Sequence, residues 1–412
     1  TMIQRFFRVV PLIMALALVV ALFAAGPAQA RVLSPGESAA PRQDDGGDPE
    51  AYENELLGVN LTMPAGWQAL SGGQDYDIAL VSPEAMAGEP GALMTFVTLP
   101  TLGANITFES ALEPIAAQVE SSVEPLTSGA NEGMQVQFAD EASGLTQRQV
   151  LFPYGEYGEV AYIQSLAPID QDSVILAILE SLEINPPQPD YAAANAAWQA
   201  SVAENGRMVY GDVDAPITLV EFYSFTCPHC ANYSFPMNRL IALDVESGLV
   251  QVELVPIAGD PLAEYATKAA YCATEQGAGY SAYKALFAGS VDLGREYAFS
   301  AEGVDEILGG LDEGIDLEAL NTCIEEDRYA EAMNEARTRF TDYGLTGTPT
   351  VLLGTPDEDV QPLLLPDGSV WSGSIPVDAL RDIFSMIADD GIAVEDVVSE
   401  LVARSQAQSE GE

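Results

Sequence analysis

Four consecutive residues, Cys227-Pro228-His229-Cys230, hold two of the four cysteines and the only histidine of this 412-residue chain. Just ahead of them runs Ile217-Thr218-Leu219-Val220-Glu221-Phe222-Tyr223, an almost continuous apolar and β-rich segment that suits a buried parallel strand. A helix is predicted to start at the cysteines. Two thiols three positions apart at such a junction can close a small disulfide ring while the first sulfur faces solvent. The chain must therefore bring a strand end, a helix start and a dithiol to one point, which calls for an α/β domain.

The thiolate is the reactive form of cysteine. Unpaired helix N–H groups and a neighbouring imidazolium stabilise it, so Cys227 is expected to ionise below the usual value of about 8.5. A lowering of about 3 units corresponds to about 4 kcal/mol in favour of the reduced, ionised state. At about 30 mV per 1.4 kcal/mol, that makes the disulfide more oxidising by roughly 90 mV. The expected direction is donation of a disulfide.

The segment Leu219–Cys230 closely resembles the active-site strand and turn of the DsbA-like thioredoxin family. The resemblance extends to Gly211-Asp212-Val213-Asp214-Ala215-Pro216 ahead of the strand and to Gly347-Thr348-Pro349-Thr350 near the end, covering about residues 205–390. It implies a thioredoxin fold with a helical insertion at about 262–345. It further implies that Cys227 is the attacking sulfur, Cys230 the buried resolving one, and His229 a tuner of the thiolate. Glu221 becomes the buried acid beneath the site, and Pro349 a cis-proline that faces the thiols and withholds an N–H there. Thr348 departs from the Val of strong oxidants and is also seen in isomerase relatives, which leaves oxidase and isomerase both open.

Other readings of the same residues differ in what they require. A zinc site built on Cys227 and Cys230 needs two more ligands, and Cys272 and Cys323 are the only further thiols, so no metal or cofactor is expected. Glu221 could be a plain strand-edge carboxylate and Pro349 a trans loop residue. Cys272 and Cys323, both in the helical block, are either a structural disulfide, worth about 4 kcal/mol on the chain-entropy model, or two buried thiols. A Ser-His-Asp or Cys-His hydrolase lacks a freely placed imidazole, and no phosphate-binding glycine loop is present.

Lys+Arg number 15 against 63 Asp+Glu, a net charge of −48, so nucleic acid is a poor partner. Arg5 and Arg8, the apolar run 9–25 and Ala28-Gln29-Ala30 have the order of a secretory signal peptide cleaved after Ala30, with a retained membrane anchor as the rival reading. The expected setting is periplasmic or secreted, where disulfides persist. Cysteine-containing exported client proteins and a membrane or small-molecule reoxidant are the expected partners.

Residues 31–50 read as a flexible linker, and the prolines at 186, 187 and 189 mark a boundary that opens a linker and Ala-rich helix over 186–204. Between them, residues 51–185 read as a smaller α+β domain with a mainly antiparallel sheet. Strand patterns include Val59/Leu61/Met63, Met134/Val136/Phe138 and Val160/Tyr162. Phe108, Leu112, Ile115, Val119 and Val123 fall at helical spacing, and Val174 to Leu182 form a closing helix. The motif Pro64-Ala65-Gly66-Trp67 after a strand resembles the start of PsbP-like domains. Without Cys or His, this domain is assigned docking, dimerisation or spacing. Residues 391–412 read as a polar, frayed tail. Asn60, Asn105 and Asn232 lie in sequons that carry little weight.

Overall fold

A computed structural model describes residues 48–410 apart from 72–75, 104–105 and 156. The expected signal peptide, nearly all of the 31–50 linker and Asn105 lie outside the described residues.

The first domain runs β1 (Glu50–Asn54), β2 (Val59–Met63), β3 (Gln68–Ser71), β4 (Ile78–Val81), α1 (Pro83–Met86), β5 (Leu93–Leu99) and α2 (Phe108–Gln118). It continues with β6 (Val123–Ser128), β7 (Asn131–Asp140), β8 (Leu145–Pro153), β9 (Val160–Pro168), α3 (Asp172–Ser181) and β10 (Glu183–Ile184). Seven strands form one antiparallel sheet in the order β3-β4-β5-β9-β8-β7-β6, and β1-β2-β10 form a smaller one. Alternation along β8 explains how both faces are covered. Leu151 packs with Leu112 and Ile115 of α2, while Val150 and Phe152 pack with Ile175, Ile178 and Leu179 of α3. The Pro64–Trp67 turn is closed by the Trp67 N–H donating to Pro64 O at 3.2 Å. Gly66 has φ +78° there, which a side chain would resist. Val123 departs from its expected helix: the positive φ of Glu120 (52°) stops α2, and Val123 opens β6 opposite Val136.

The second domain comprises α4 (Tyr191–Asn205), β11 (Val209–Tyr210), β12 (Ile217–Tyr223), α5 (Pro228–Leu240) and β13 (Val250–Pro256). Next come α6 (Pro261–Glu275), α7 (Gly279–Gly289), α8 (Arg295–Ala298), α9 (Ala301–Gly309), α10 (Leu317–Glu325) and α11 (Ala330–Asp342). The chain then returns to β14 (Thr350–Thr355), β15 (Glu358–Pro362), α12 (Val377–Ala388) and α13 (Val397–Glu410). The sheet order is β11-β13-β12-β14-β15. Central β12 runs parallel to β13, with Glu221 opposite Leu254, and antiparallel to β14, with Glu221 opposite Val351. That register decides the site: the C-terminal end of β12 and the N-terminal end of β14 meet at one end of the sheet. The six helices α6 to α11 are inserted between β13 and β14, and a disulfide between Cys272 and Cys323 ties α6 to α10 across a Cα–Cα distance of 5.9 Å.

The packed core of this domain reaches beyond residues 205–390. Ala194, Trp198 and Val202 of α4 are buried in it, and so are Val394, Val397 and Val398. The 391–412 segment is thus not a frayed tail throughout, because its valines dock against the core and start α13.

The two domains meet through the far end of α5. Arg239 Nη1 lies 3.6 Å from Glu159 Oε1, both side chains about 5% exposed, and its guanidinium sits 5.5 Å from the Tyr154 ring centroid. Among the described residues no helix is long and apolar enough to cross a membrane.

Candidate active site

The strand β12 ends at Tyr223, and the chain turns through Ser224, Phe225 and Thr226 to bring Cys227 to the head of α5. Cys227 has extended dihedrals (φ −80°, ψ 118°), while its carbonyl already accepts the first helical bond from Ala231 N–H at 3.1 Å. It is the N-cap residue, and Pro228 occupies the first helical position, where a missing N–H removes no helical bond. The unpaired N–H groups of that first turn point toward the Cys227 sulfur. Pro228 and His229 are exposed, Cys227 is half-buried, and Cys230 is buried at 1% exposure. Both cysteines are free thiols in this structure.

From the other strand comes the Thr348-Pro349 peptide bond, which is cis. Its Thr348 carbonyl accepts from the Cys227 thiol at 3.2 Å. The loop is held from behind: Thr350 Oγ1 donates to Gly347 O at 2.8 Å, and Gly373 N–H donates to Pro349 O at 2.9 Å. On the opposite flank Thr226 Oγ1 donates to Asp260 Oδ2 at 2.6 Å, and the Arg295 guanidinium donates to Thr226 O.

The two thiols have opposite electrostatics. The Cys230 side chain, donating toward the Cys227 sulfur, is the largest influence on Cys227. Partial burial opposes it, the backbone N–H groups of Cys230 and His229 and the Thr348 side chain assist it, and the Cys227 thiol falls to about 5. The thiol's contact with Thr348 O favours the protonated form but is outweighed. Cys230 is pushed far up, first by burial, then by its bond to Cys227 and by the charge of Glu221. Glu221 itself, fully buried on β12, is raised to about 8 by desolvation, with the charge of Lys284 opposing and that of Cys227 adding.

The predicted residues therefore gather at one end of the sheet: Cys227, Pro228, His229 and Cys230 on the turn and helix, Thr348 and Pro349 across from them, and Glu221 beneath. His229 reaches the thiolate through its backbone N–H. Cys272 and Cys323 are elsewhere, in the helical insertion. Lys284, Arg295 and Asp260 were not anticipated. Lys284 did leave a signal, since it is one of two lysines in the chain and stands in the otherwise uncharged run Gly279–Gly289.

Residues 203–359 match a family model described as Thioredoxin. Among solved structures the chain is similar to a thioredoxin-like oxidoreductase from Silicibacter pomeroyi DSS-3, at 20% identity over 47% of this chain and 98% of that one, with a TM-score of 0.36. It is also similar to BdbD from Bacillus subtilis (18% identity, 38% of this chain, 83% of that chain, TM-score 0.33) and to Chlamydia trachomatis DsbA (19%, 45%, 91%, 0.35). No curated protein matches it. The chain thus carries a thioredoxin-fold domain, with six helices inserted between β13 and β14. In that domain the paired thiols Cys227 and Cys230 face the cis-proline loop.

Proposed function

We propose that this protein is an exported oxidant of cysteine pairs, acting on client proteins outside the cytoplasm. The observation that carries the reading is the opposed ionisation of the two thiols, Cys227 lowered to about 5 and Cys230 raised. A stabilised Cys227 thiolate favours the reduced form and makes the Cys227–Cys230 disulfide a stronger oxidant, by about 30 mV for each 1.4 kcal/mol. Export is supported by the signal-peptide pattern of residues 2–30 and by the Cys272–Cys323 disulfide, which suits an oxidising compartment.

A client thiolate attacks Cys227 of the oxidised site. The Cys227–Cys230 bond breaks, a mixed disulfide forms at Cys227, and Cys230 leaves as a thiolate that takes a proton. The second client thiolate then attacks the client sulfur of that mixed disulfide, completing the client disulfide and releasing Cys227 as a thiolate. Two electrons have passed to the protein, and a membrane or small-molecule oxidant of disulfide or quinone type restores the site. Glu221 is the buried group assigned to exchange the proton of Cys230.

The test is the reduction potential of the Cys227–Cys230 couple. The reading expects a value well above the roughly −270 mV of thioredoxin. A value at or below that figure would replace it with a reductase. The threonine before the cis-proline keeps a second reading, disulfide isomerase, in play, and recovery of activity from a scrambled-disulfide client separates the two.

A further inference from the structure

The turn that presents Cys227 rests on the segment that follows α7. Phe225 packs against Phe287 at 4.9 Å between ring centroids and against Phe299 at 5.9 Å, and the Arg295 guanidinium donates to Thr226 O. Between these anchors lies the short stretch Ser290–Gly294, in which Val291 and Leu293 pack against the core of the second domain. Asp292, between them, meets the first domain instead: its Oδ1 accepts from the hydroxyl of Thr101. Thr101 is placed there by strand register. Leu99 at the end of β5 pairs with Val160 at the start of β9, so the residues just beyond them come together, and a β-carbon on Gly158 would stand 3.6 Å from Thr101 Oγ1. The next residue, Glu159, meets Arg239 of α5, which ties this corner of the first domain to the helix that carries both thiols. Gly103 N–H donates to Thr101 Oγ1 at 3.1 Å, which leaves the hydroxyl proton for Asp292. Among the described residues no other side chain hydrogen-bonds to the Asp292 carboxylate, and partial burial works against its charge while Thr101 supports it.

We infer that Thr101 is a positioning residue through which the first domain reaches the thiol site: it occupies the Asp292 carboxylate and so leaves Arg295 to hold the Thr226 carbonyl. Asp292 and Arg295 stand three positions apart, a span of about 10 Å even in a fully extended chain, so their opposite charges are within reach of each other. An unoccupied Asp292 carboxylate would compete with Thr226 O for the guanidinium, and a charged acceptor binds a guanidinium more strongly than a neutral carbonyl does. Arg295 drawn to Asp292 would release the residue that immediately precedes Cys227 and take a cation away from the thiolate. Holding Asp292 from the first domain prevents this. The other charged or titratable groups around the turn are Asp260, which accepts from Thr226 Oγ1 and lies near Arg295, His229 and Cys230 on α5, and Glu221 beneath. All of these belong to the second domain. The first domain has no Cys or His over residues 51–185, and it takes part in the chemistry through one hydroxyl. The inference uses Cys227 as the reactive sulfur of the proposed function and is independent of the direction of exchange.

The experiment titrates Cys227 in the reduced, full-length protein through the pH dependence of its alkylation. Wild type is compared with Thr101→Val, Arg295→Gln, Asp292→Asn and the two double variants that combine Thr101→Val with each of the others. Thr101→Ala serves as a second hydroxyl-free form should the first not fold. Arg295→Gln should raise the midpoint by about half a pH unit, the effect of removing one nearby exposed charge. Thr101→Val should raise it by a similar amount, and adding Thr101→Val to Arg295→Gln should change it no further. Asp292→Asn removes the competitor, so the variant carrying both Thr101→Val and Asp292→Asn should have the midpoint of Asp292→Asn alone, whereas a loosened domain contact would leave the shift in place. Thr101→Ser, which keeps the hydroxyl, should match wild type. A Thr101→Val midpoint equal to wild type overturns the inference, and so does a shift that persists in the Asp292→Asn background or adds to that of Arg295→Gln. A wild-type midpoint near that of free cysteine removes the proposed function, while the differences among the variants still decide the role of Thr101.

Discussion

Cys227 Sγ and the carbonyl oxygen of Thr348 lie 3.2 Å apart although 121 positions separate the residues. Antiparallel pairing of β12 with β14, with Phe222 opposite Thr350, makes that proximity a consequence of sheet register. On the proposed function, an extended client chain that reaches Cys227 would lie against the cis-proline loop, and the two cysteines would meet it unequally: one half-buried and readily ionised, the other buried and held protonated.

That inequality gives the first expected outcome. Cys230→Ala should accumulate covalent client complexes through Cys227 when exposed to oxidised client proteins, because the resolving sulfur is gone. Cys227→Ala should form none. Non-reducing electrophoresis with mass spectrometry of the bands checks both, and adducts on Cys230 in the Cys227→Ala protein would contradict the assignment of roles.

The second concerns the Cys272–Cys323 disulfide, which spans 51 positions. Replacing both cysteines by Ala should lower stability by about 4 kcal/mol on the loop-entropy account. The active-site chemistry should be kept, since the bridge lies between α6 and α10, away from Cys227. Denaturant unfolding and the rate of Cys227 alkylation measure the two halves of this expectation separately.

The third is a pH dependence. Cys227 is lowered in the folded state from an ordinary value of 9.0 to about 5, so its contribution to the stability of the reduced protein is full above pH 9 and fades as pH falls from 9 to 5. Glu221 acts oppositely: raised from 4.5 to about 8, it contributes stability below pH 4.5 that is lost as pH rises through 8. Glu221 titrates in both redox forms, whereas the Cys227 thiolate exists only in the reduced one. The melting temperature of the reduced protein minus that of the oxidised protein should therefore increase from pH 5 to pH 9. Parallel thermal melts of the two forms give the difference.

Much of the site was legible in the sequence because its chemistry is local. Cys227-Pro228-His229-Cys230 lies within one helical turn, and the apolar run 217–223 announces the strand that carries Glu221. The family resemblance supplied Pro349, which no local pattern places next to a thiol 122 positions earlier. Residues whose importance arises only on folding were hidden. Lys284 and Arg295 come from the helical insertion, and nothing near them in sequence points to α5 or to Thr226. The Arg239–Glu159 contact between domains was equally invisible, since a charge buried at an interface reads in sequence as a charge on a surface. In the first domain the alternation in β2, β7 and β9 found the strands, but the positive φ at Glu120 that ejects Val123 from its helix has no signature in residue type.

The most direct measurement is the ionisation of Cys227 itself, followed by thiolate absorbance or by the pH dependence of alkylation, with the Cys227→Ala protein as the blank. The account predicts a midpoint near 5, with Cys230 protonated throughout the range of stability. A midpoint near that of a free cysteine, about 8.5, would contradict it, and with it the oxidising direction proposed for the site.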